Sequence, residues 1–393
     1  MHKWPSKKII IIVLVVKKVK LRIAVNTRLL LKNKLEGIGW FTFETLMRIT
    51  QQHPEHEFYF IFDRKFDKSF IFSKNVKPVV IGPQARHPFL FILWFEISIP
   101  FVLRKIKPDI FISPDGYLSL SSRTKQLAVI HDLNFEHYPN DVPFLVKKYF
   151  KFFFPRWAKK ATRVVTVSEF SKADIVKNYG IDASKIDVAY NGANEIFKPV
   201  SETEKTKIFN RYGESSPYFV FVGALHPRKN IKNLMIAYDI FKERTDNDIK
   251  LLIVGEKQWW TPDIEQSYEG MNHKKDVIFT GRLKQSELSK VVASAMAMVY
   301  VSYFEGFGIP VIEAFNAGTA VITSNVTSMP EVAGNAALLV DPFDPVDISN
   351  AMIKISSDEE LRKLLIEKGF ARAKDFSWQK TADALWESVE SCL

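Results

Sequence analysis

Glu305-Gly306-Phe307-Gly308-Ile309-Pro310-Val311-Ile312-Glu313-Ala314 stands directly after the apolar run Ala297–Val301, and its reading decides the fold. An apolar run without polar alternation is a strand buried on both faces. The glycine loop that follows, and the apolar stretch closed by Gly318, read as a turn into a short helix. Strand, loop and helix in that order form the unit of a parallel α/β sheet. Such sheets bind ligands beyond the carboxyl ends of their strands. The segment therefore carries two carboxylates, Glu305 and Glu313, toward a ligand position. Glu305 lies in a loop that exposes backbone N–H groups. Glu313 is expected in the first helical turn, where two readings stand: a first-turn acid favoured by the helix dipole, or a carboxylate that accepts both hydroxyls of a ribose.

The same unit recurs on both sides of this segment. In the first half, strands are expected near Arg22–Asn26, Glu57–Phe62, Val79–Ile81, Asp109–Ser113, Gln126–His131, Arg163–Val167 and Asp187–Tyr190. In the second half they are expected at Tyr218–Gly223, Lys250–Val254, Asp276–Thr280, Ala297–Val301, Thr319–Thr323 and Ala336–Val340. Between the sets, Asn191–Glu214 is polar, contains Pro199 and reads as a linker into a helix. The expected division is an N-terminal extension (1–20), a first Rossmann-like domain (21–195), a second (196–375), and a C-terminal helix (376–393). That helix would place Trp378, Ala382, Leu385, Trp386 and Val389 on one face, able to return to the first domain. A chain of 393 residues suits two cores better than one.

Charge and cysteine usage narrow the function classes. The sole cysteine, Cys392, permits no intrachain disulfide or cysteine zinc cluster, and a reducing, cytoplasmic compartment is expected. The formal charge of +11 would suit nucleic acid, anionic lipid or a phosphorylated small molecule. Residues 145–163 carry seven Lys/Arg and no acid, interleaved with Tyr149, Phe150, Phe152, Phe153, Phe154 and Trp157. Two readings remain open there: a peripheral contact with the inner face of the plasma membrane, or an amphipathic helix with core aromatics and solvated lysines. No zinc-finger, RNP-type or helix-turn-helix signature supports nucleic acid. Residues 9–16 form an apolar run too short to span a bilayer and lack a cleavage signal, so residues 1–20 are expected to be neither anchor nor signal peptide.

Three further segments follow strands. Glu36-Gly37-Ile38-Gly39-Trp40 opens a helix, where glycines either serve a tight turn or let N–H groups approach a phosphate. Gly223-Ala224-Leu225-His226-Pro227-Arg228-Lys229-Asn230 sets two cations before a helix, a position the dipole disfavours but a bound diphosphate would favour. The alternative there is a pair of solvated charges. His131-Asp132 ends a strand, and a lone histidine in that position is either structural or functional.

Together these segments resemble the family 4 glycosyltransferases, whose E-x7-E motif Glu305 and Glu313 match. Gly37-Ile38-Gly39, His131-Asp132-Leu133 and Gly223 with Pro227-Arg228-Lys229-Asn230 fall in the family's order, as do Val167–Ser171, Asn191-Gly192 and Gly281-Arg282-Leu283. The resemblance spans residue 21 to the C-terminus. It implies the GT-B architecture, two facing Rossmann-like domains with a central cleft. It further implies that Arg228 and Lys229 hold the donor diphosphate, Glu313 the ribose, and Glu305 the transferred sugar. Phe307, Gly308, Ile309 and Pro310 would face phosphates and sugar, Arg282 and Leu283 the base, Gly39 the diphosphate, and His131 the reacting sugar. The resemblance is to enzymes that retain anomeric configuration and need no metal or other cofactor, and no Asp-x-Asp motif stands at a strand end. Ala224 departs from the pattern, since many relatives carry a polar residue there.

The expected activity is transfer of a hexose, mannose from GDP-mannose first and a UDP-hexose second, to a glycan or polyprenyl-linked acceptor in surface polysaccharide or lipopolysaccharide assembly. A GT-B nucleotide-sugar epimerase and a basic nucleic-acid binder are the readings from other classes.

Overall fold

The computed structural model describes residues 20–257 and 260–393. The expected N-terminal extension lies, apart from Lys20, outside the described residues.

Two parallel sheets form, one from each half of the chain. The first holds β1 (Arg22–Asn26), β2 (Glu57–Phe62), β3 (Val76–Val80), β4 (Ile110–Ser113), β5 (Lys125–Val129), β6 (Arg163–Thr166) and β7 (Ile186–Val188). Their order across the sheet is β3-β2-β1-β4-β5-β6-β7. The second holds β8 (Tyr218–Val222), β9 (Lys250–Val254), β10 (Val277–Gly281), β11 (Ala297–Tyr300), β12 (Ala320–Ser324) and β13 (Leu338–Val340), ordered β10-β9-β8-β11-β12-β13. Each order reverses once, between β1 and β4 and between β8 and β11, which creates a crevice at the strands' carboxyl ends.

Burial explains why the strands were readable. Every residue of β4, β8, β11 and β12 is buried, as expected when helices cover both faces. The strand expected at Val79–Ile81 instead begins at Val76 and ends at Val80. It is an edge strand with Lys77 and Pro78 exposed, so its apolar signal is short and its proline is tolerated.

The final helix, Trp378–Glu390, packs against the helix Gly37–Gln52 of the first half. Trp378, Ala382, Leu385, Trp386 and Val389 are all buried, and the Trp386 ring stacks on His53 with centroids 3.8 Å apart. Gly192 lies so close beneath this helix that a Cβ there would sit 2.2 Å from the Trp378 nitrogen.

The basic, aromatic segment forms the helix Phe144–Lys160. Its aromatics divide: Tyr149, Phe154 and Trp157 enter the core, whereas Phe144 is 65% exposed and Phe152 is 50% exposed. Lys148 sits over the Phe144 ring and Arg156 over the Phe152 ring, at 4.4 and 3.6 Å from the centroids. Among the described residues no helix is long and apolar enough to cross a membrane.

Candidate functional site

The crevice of the second sheet brings the segments after β8 and β11 together. After β8, the His226 imidazole accepts from the Arg228 N–H and starts a short turn, Pro227–Lys229. Asn230 then takes a left-handed φ of 61° before the helix Ile231–Arg244. Its Nδ2 donates to Val301 O and Pro342 O at 2.9 and 2.6 Å, tying this loop to the end of β11. The turn therefore aims both cations at the loop after β11.

There Arg228 Nη1 donates to Glu305 Oε2 at 2.7 Å and Lys229 Nζ to Glu305 Oε1 at 2.5 Å. Tyr300 completes the cluster, its hydroxyl donating to Glu305 Oε1 at 3.0 Å and accepting from Lys229 Nζ at 2.5 Å. The reading of Arg228 and Lys229 as solvated charges is therefore wrong, since their side chains are only 25% and 11% exposed. Burial opposes the Glu305 charge, but Arg228 and Lys229 outweigh it and hold the carboxyl down at about 2. Burial, with Arg228 adding to it, brings Lys229 down to about 8 although Glu305 pulls it upward. Burial also opposes the Arg228 charge, yet Glu305 raises the guanidinium above its ordinary value. A clamp of two cations on one buried carboxylate is a ready seat for oxyanions.

Glu313 corrects one expectation. The helix runs Ile309–Ala317, so Glu313 is its fifth residue, beyond the first turn, and an N-terminal dipole does not account for it. The carboxyl is buried without an ion pair or hydrogen bond to another described residue, and burial pushes it up to about 8. It lines a small cavity with Trp40, Asn194, Gln285, Ile309 and Trp378. Gln285 Oε1 is also buried there without a partner. Two polar groups thus share one cavity without a hydrogen-bond partner among the described residues.

The first half closes over this cluster. Gly306 passes so near the end of β5 that a Cβ would lie 2.1 Å from the His131 carbonyl oxygen. Ser168 Oγ donates to Gly306 O at 2.6 Å. Glu331 accepts from the Glu169 and Phe170 N–H groups, at 2.7 and 3.0 Å, at the start of the helix Glu169–Tyr179. His131 Nε2 hydrogen-bonds Pro114 O at 2.8 Å, which leaves Nδ1 as the acceptor of a neutral ring; burial lowers its basicity.

The remaining expected residues are placed unevenly. Gly39 lies under Leu29 and Leu35, each 3.2 Å from where its Cβ would stand. Arg282 is exposed and reaches across the cleft to Leu35 O at 3.2 Å. Leu283 packs partly buried against the core. The Phe307 ring turns inward to Phe376, with centroids 5.4 Å apart, and is buried, so the side chain does not face the cleft. Gly308, at φ 96°, Ile309 and Pro310 form the start of the helix that carries Glu313.

Two family models match this chain: "Glycosyltransferase Family 4" over residues 37–195 and "Glycosyl transferases group 1" over 202–372. O-antigen chain mannosyltransferase B of Escherichia coli is 30% identical over 278 residues, covering 70% of this chain and 73% of that protein. This chain belongs to the family 4 glycosyltransferases. The glycosyltransferase is also 32% identical over 230 residues to O-antigen chain mannosyltransferase RfbU of Salmonella typhimurium, covering 58% of this chain and 60% of that protein. Its GT-B fold matches WaaG, a glycosyltransferase involved in lipopolysaccharide biosynthesis, with a TM-score of 0.72 at 15% identity over 92% of this chain and 98% of that one. HepE of Anabaena, solved with UDP and glucose, matches with a TM-score of 0.73 at 16% identity over 94% of this chain and all of that one.

Sequence reasoning missed several residues of the glycosyltransferase cleft. Tyr300 was read only as strand, although a strand-end tyrosine beside Glu305 was a usable signal. Glu331 and Gln285 had no local signal, because nothing near them in sequence marks them; Ser168 lies in the family-like segment Val167–Ser171, but its bond to Gly306 joins residues far apart in the chain. Arg28 was also missed. It pairs with Asp115 at 2.7 Å among the rings of Phe91, Phe95 and Tyr117, and Asp115 also accepts from Asn26 Nδ2 at 2.8 Å. Among the described residues, the group with metal-ligand proximity is His53, Glu55 and His56, beside Trp386. His56 Nδ1 there accepts from the Leu21 N–H.

Proposed function

We propose that this glycosyltransferase moves mannose from GDP-mannose, with retention of configuration and without a metal, to a glycan or polyprenyl-linked acceptor in O-antigen or lipopolysaccharide assembly. The observation that carries the reading is the Arg228–Glu305–Lys229 clamp beside the unpartnered Glu313 carboxyl. The names of the two O-antigen mannosyltransferases support the sugar and the pathway class.

The chemistry follows from charge. As the bond from sugar to phosphate breaks, the diphosphate gains negative charge and the anomeric carbon gains oxocarbenium character. Arg228 and Lys229 meet the first change. Glu305, held ionised near the sugar, offsets the second and orients hydroxyls; its depressed basicity and two cationic partners make it a poor nucleophile. Glu313, which lines the small cavity beside Trp40, accepts from the ribose hydroxyls. The exposed Phe144, Leu145 and Phe152 with their neighbouring lysines suit a peripheral contact with anionic lipid, where a lipid-linked acceptor would be met.

The test is product analysis in chelator with GDP-mannose labelled with 13C at C1 and an undecaprenyl-diphosphate-linked oligosaccharide. An α-linked mannosyl product is expected, read from the one-bond C1–H1 coupling. A β product overturns retention, transfer from UDP-glucose alone overturns the donor, and a strict metal requirement overturns the metal-free reading.

A further inference from the structure

Beyond Glu305 the cleft carries aromatic chemistry that the donor does not use. Along the second sheet, Arg282 follows β10, Arg228 and Lys229 follow β8, Glu305 follows β11, and Phe343 follows β13. A nucleotide sugar seated with its base toward β10 and its sugar at Glu305 leaves the β12–β13 side for the second substrate. Three aromatic rings and a carboxylate gather on that side. Tyr303, two residues before Glu305, is bound through its N–H to Arg228 O at 3.0 Å. Its ring faces Tyr138 of the first half at 4.5 Å between centroids, and Phe343 at 6.0 Å with 21° between the ring planes. Its hydroxyl donates to Asp141 Oδ2 at 2.9 Å. Phe343 is 58% exposed and is held outward by a turn in which its N–H donates to Asp341 Oδ1 at 2.8 Å.

We infer that Tyr138, Tyr303, Phe343 and Asp141 form the acceptor subsite and receive a pyranose ring, the terminal sugar of a glycan. The inference rests on the donor reading above. A pyranose has an apolar C–H face that lies on aromatic rings and hydroxyls that donate to a carboxylate. Asp141 makes the patch unfavourable to a phosphate or an anionic headgroup, which separates it from the cationic clamp and from the basic helix Phe144–Lys160. Because Tyr138 and Asp141 come from one half and Tyr303 and Phe343 from the other, the subsite is complete only when the halves meet. Acceptor binding and closure are thereby linked.

The test is ligand-observed saturation-transfer NMR on the full chain with saturating GDP, or UDP if GDP does not bind. The probes are the methyl α-pyranosides of mannose, glucose, galactose and N-acetylglucosamine. At least one should receive saturation from the wild type, and Phe343→Ala and Tyr138→Ala should each lower that transfer at least fivefold with nucleotide Kd unchanged within about twofold. Phe343 is exposed, so its variant should keep the wild-type melting temperature. Transfer unchanged in both variants overturns the inference, as does a wild type that binds nucleotide and no pyranoside. A wild type that binds pyranoside but no nucleotide overturns the donor reading and leaves the sugar subsite standing.

Discussion

Replacing Glu313 by Gln should stabilise the protein at neutral pH while weakening its hold on a nucleotide. Burial raises this carboxyl from 4.5 to about 8, so the folded protein takes up a proton that the unfolded chain releases above 4.5. Such a group permits full stability below about 4.5, and that stability is lost as pH climbs through about 8. At about 1.36 kcal/mol per pH unit, the cost of keeping Glu313 protonated is about 3 kcal/mol at pH 7 and under about 1 kcal/mol at pH 5. Glutamine keeps the shape and removes the titration. With a domain-sized unfolding unit, the gain at pH 7 corresponds to roughly 5–10 °C in Tm. Differential scanning calorimetry of wild type and Glu313→Gln at pH 5, 7 and 8.5 reads this directly, with calorimetric titration of GDP alongside. The variant should match the wild type at pH 5, exceed it increasingly at higher pH, and bind GDP more weakly. A variant that is less stable at pH 7, or a gap that does not widen with pH, would refute the account of Glu313 as a buried, unpartnered acceptor held for a ligand.

Lys229, brought down to about 8 by burial, should give the opposite pH signature: in Glu313→Gln, nucleotide affinity should fall as pH rises through about 8 and the ammonium is lost. In Lys229→Arg the fall should vanish, and affinity should instead rise through that range as Glu313 ionises; titrations from pH 6.5 to 9.5 in both variants check the pair. Gly306→Ala places a methyl against the His131 carbonyl and should cut turnover at least ~100-fold, the scale of catalytic loss when reacting groups are displaced by about 1 Å, with nucleotide affinity changed little. Glu305→Gln should also cut turnover severely, and it should lower stability by as much as about 3–5 kcal/mol, because Arg228 and Lys229 are left buried without their counter-charge. An active, fully stable Glu305→Gln would remove Glu305 from the reacting centre.

The sheets were legible because their strands are buried on both faces, which writes β-branched and apolar runs without interruption, as in Tyr218–Val222 and Lys250–Val254. The C-terminal helix was legible through the spacing of Trp378, Ala382, Leu385, Trp386 and Val389, and its placement on the first half follows from needing an apolar face to cover. The Arg228–Lys229–Glu305 group was legible as motifs in order, but its internal pairing was not, since nothing local tells a cation near a helix start which carboxylate it will meet. Glu313 lies one residue beyond its expected first turn, because the helix begins already at Ile309, directly after Gly308. Contacts such as Glu331 with the Glu169 N–H join residues that are neighbours only after the two halves close. Arg28 was overlooked because a buried arginine depends on an aromatic surround built from Phe91, Phe95 and Tyr117, which sequence order does not assemble.

The central claim is that the clamp after β8 and β11 seats the diphosphate of a nucleotide sugar. Its most direct test is calorimetric titration of GDP, UDP, GDP-mannose and UDP-glucose in chelator into the wild type and Lys229→Ala. One nucleotide family should bind the wild type, with guanine preferred. The variant should bind it roughly 10–100-fold more weakly, the scale of losing a charge-assisted hydrogen bond. Equal binding by the two proteins, or no binding of any of the four ligands to the wild type, would contradict the claim.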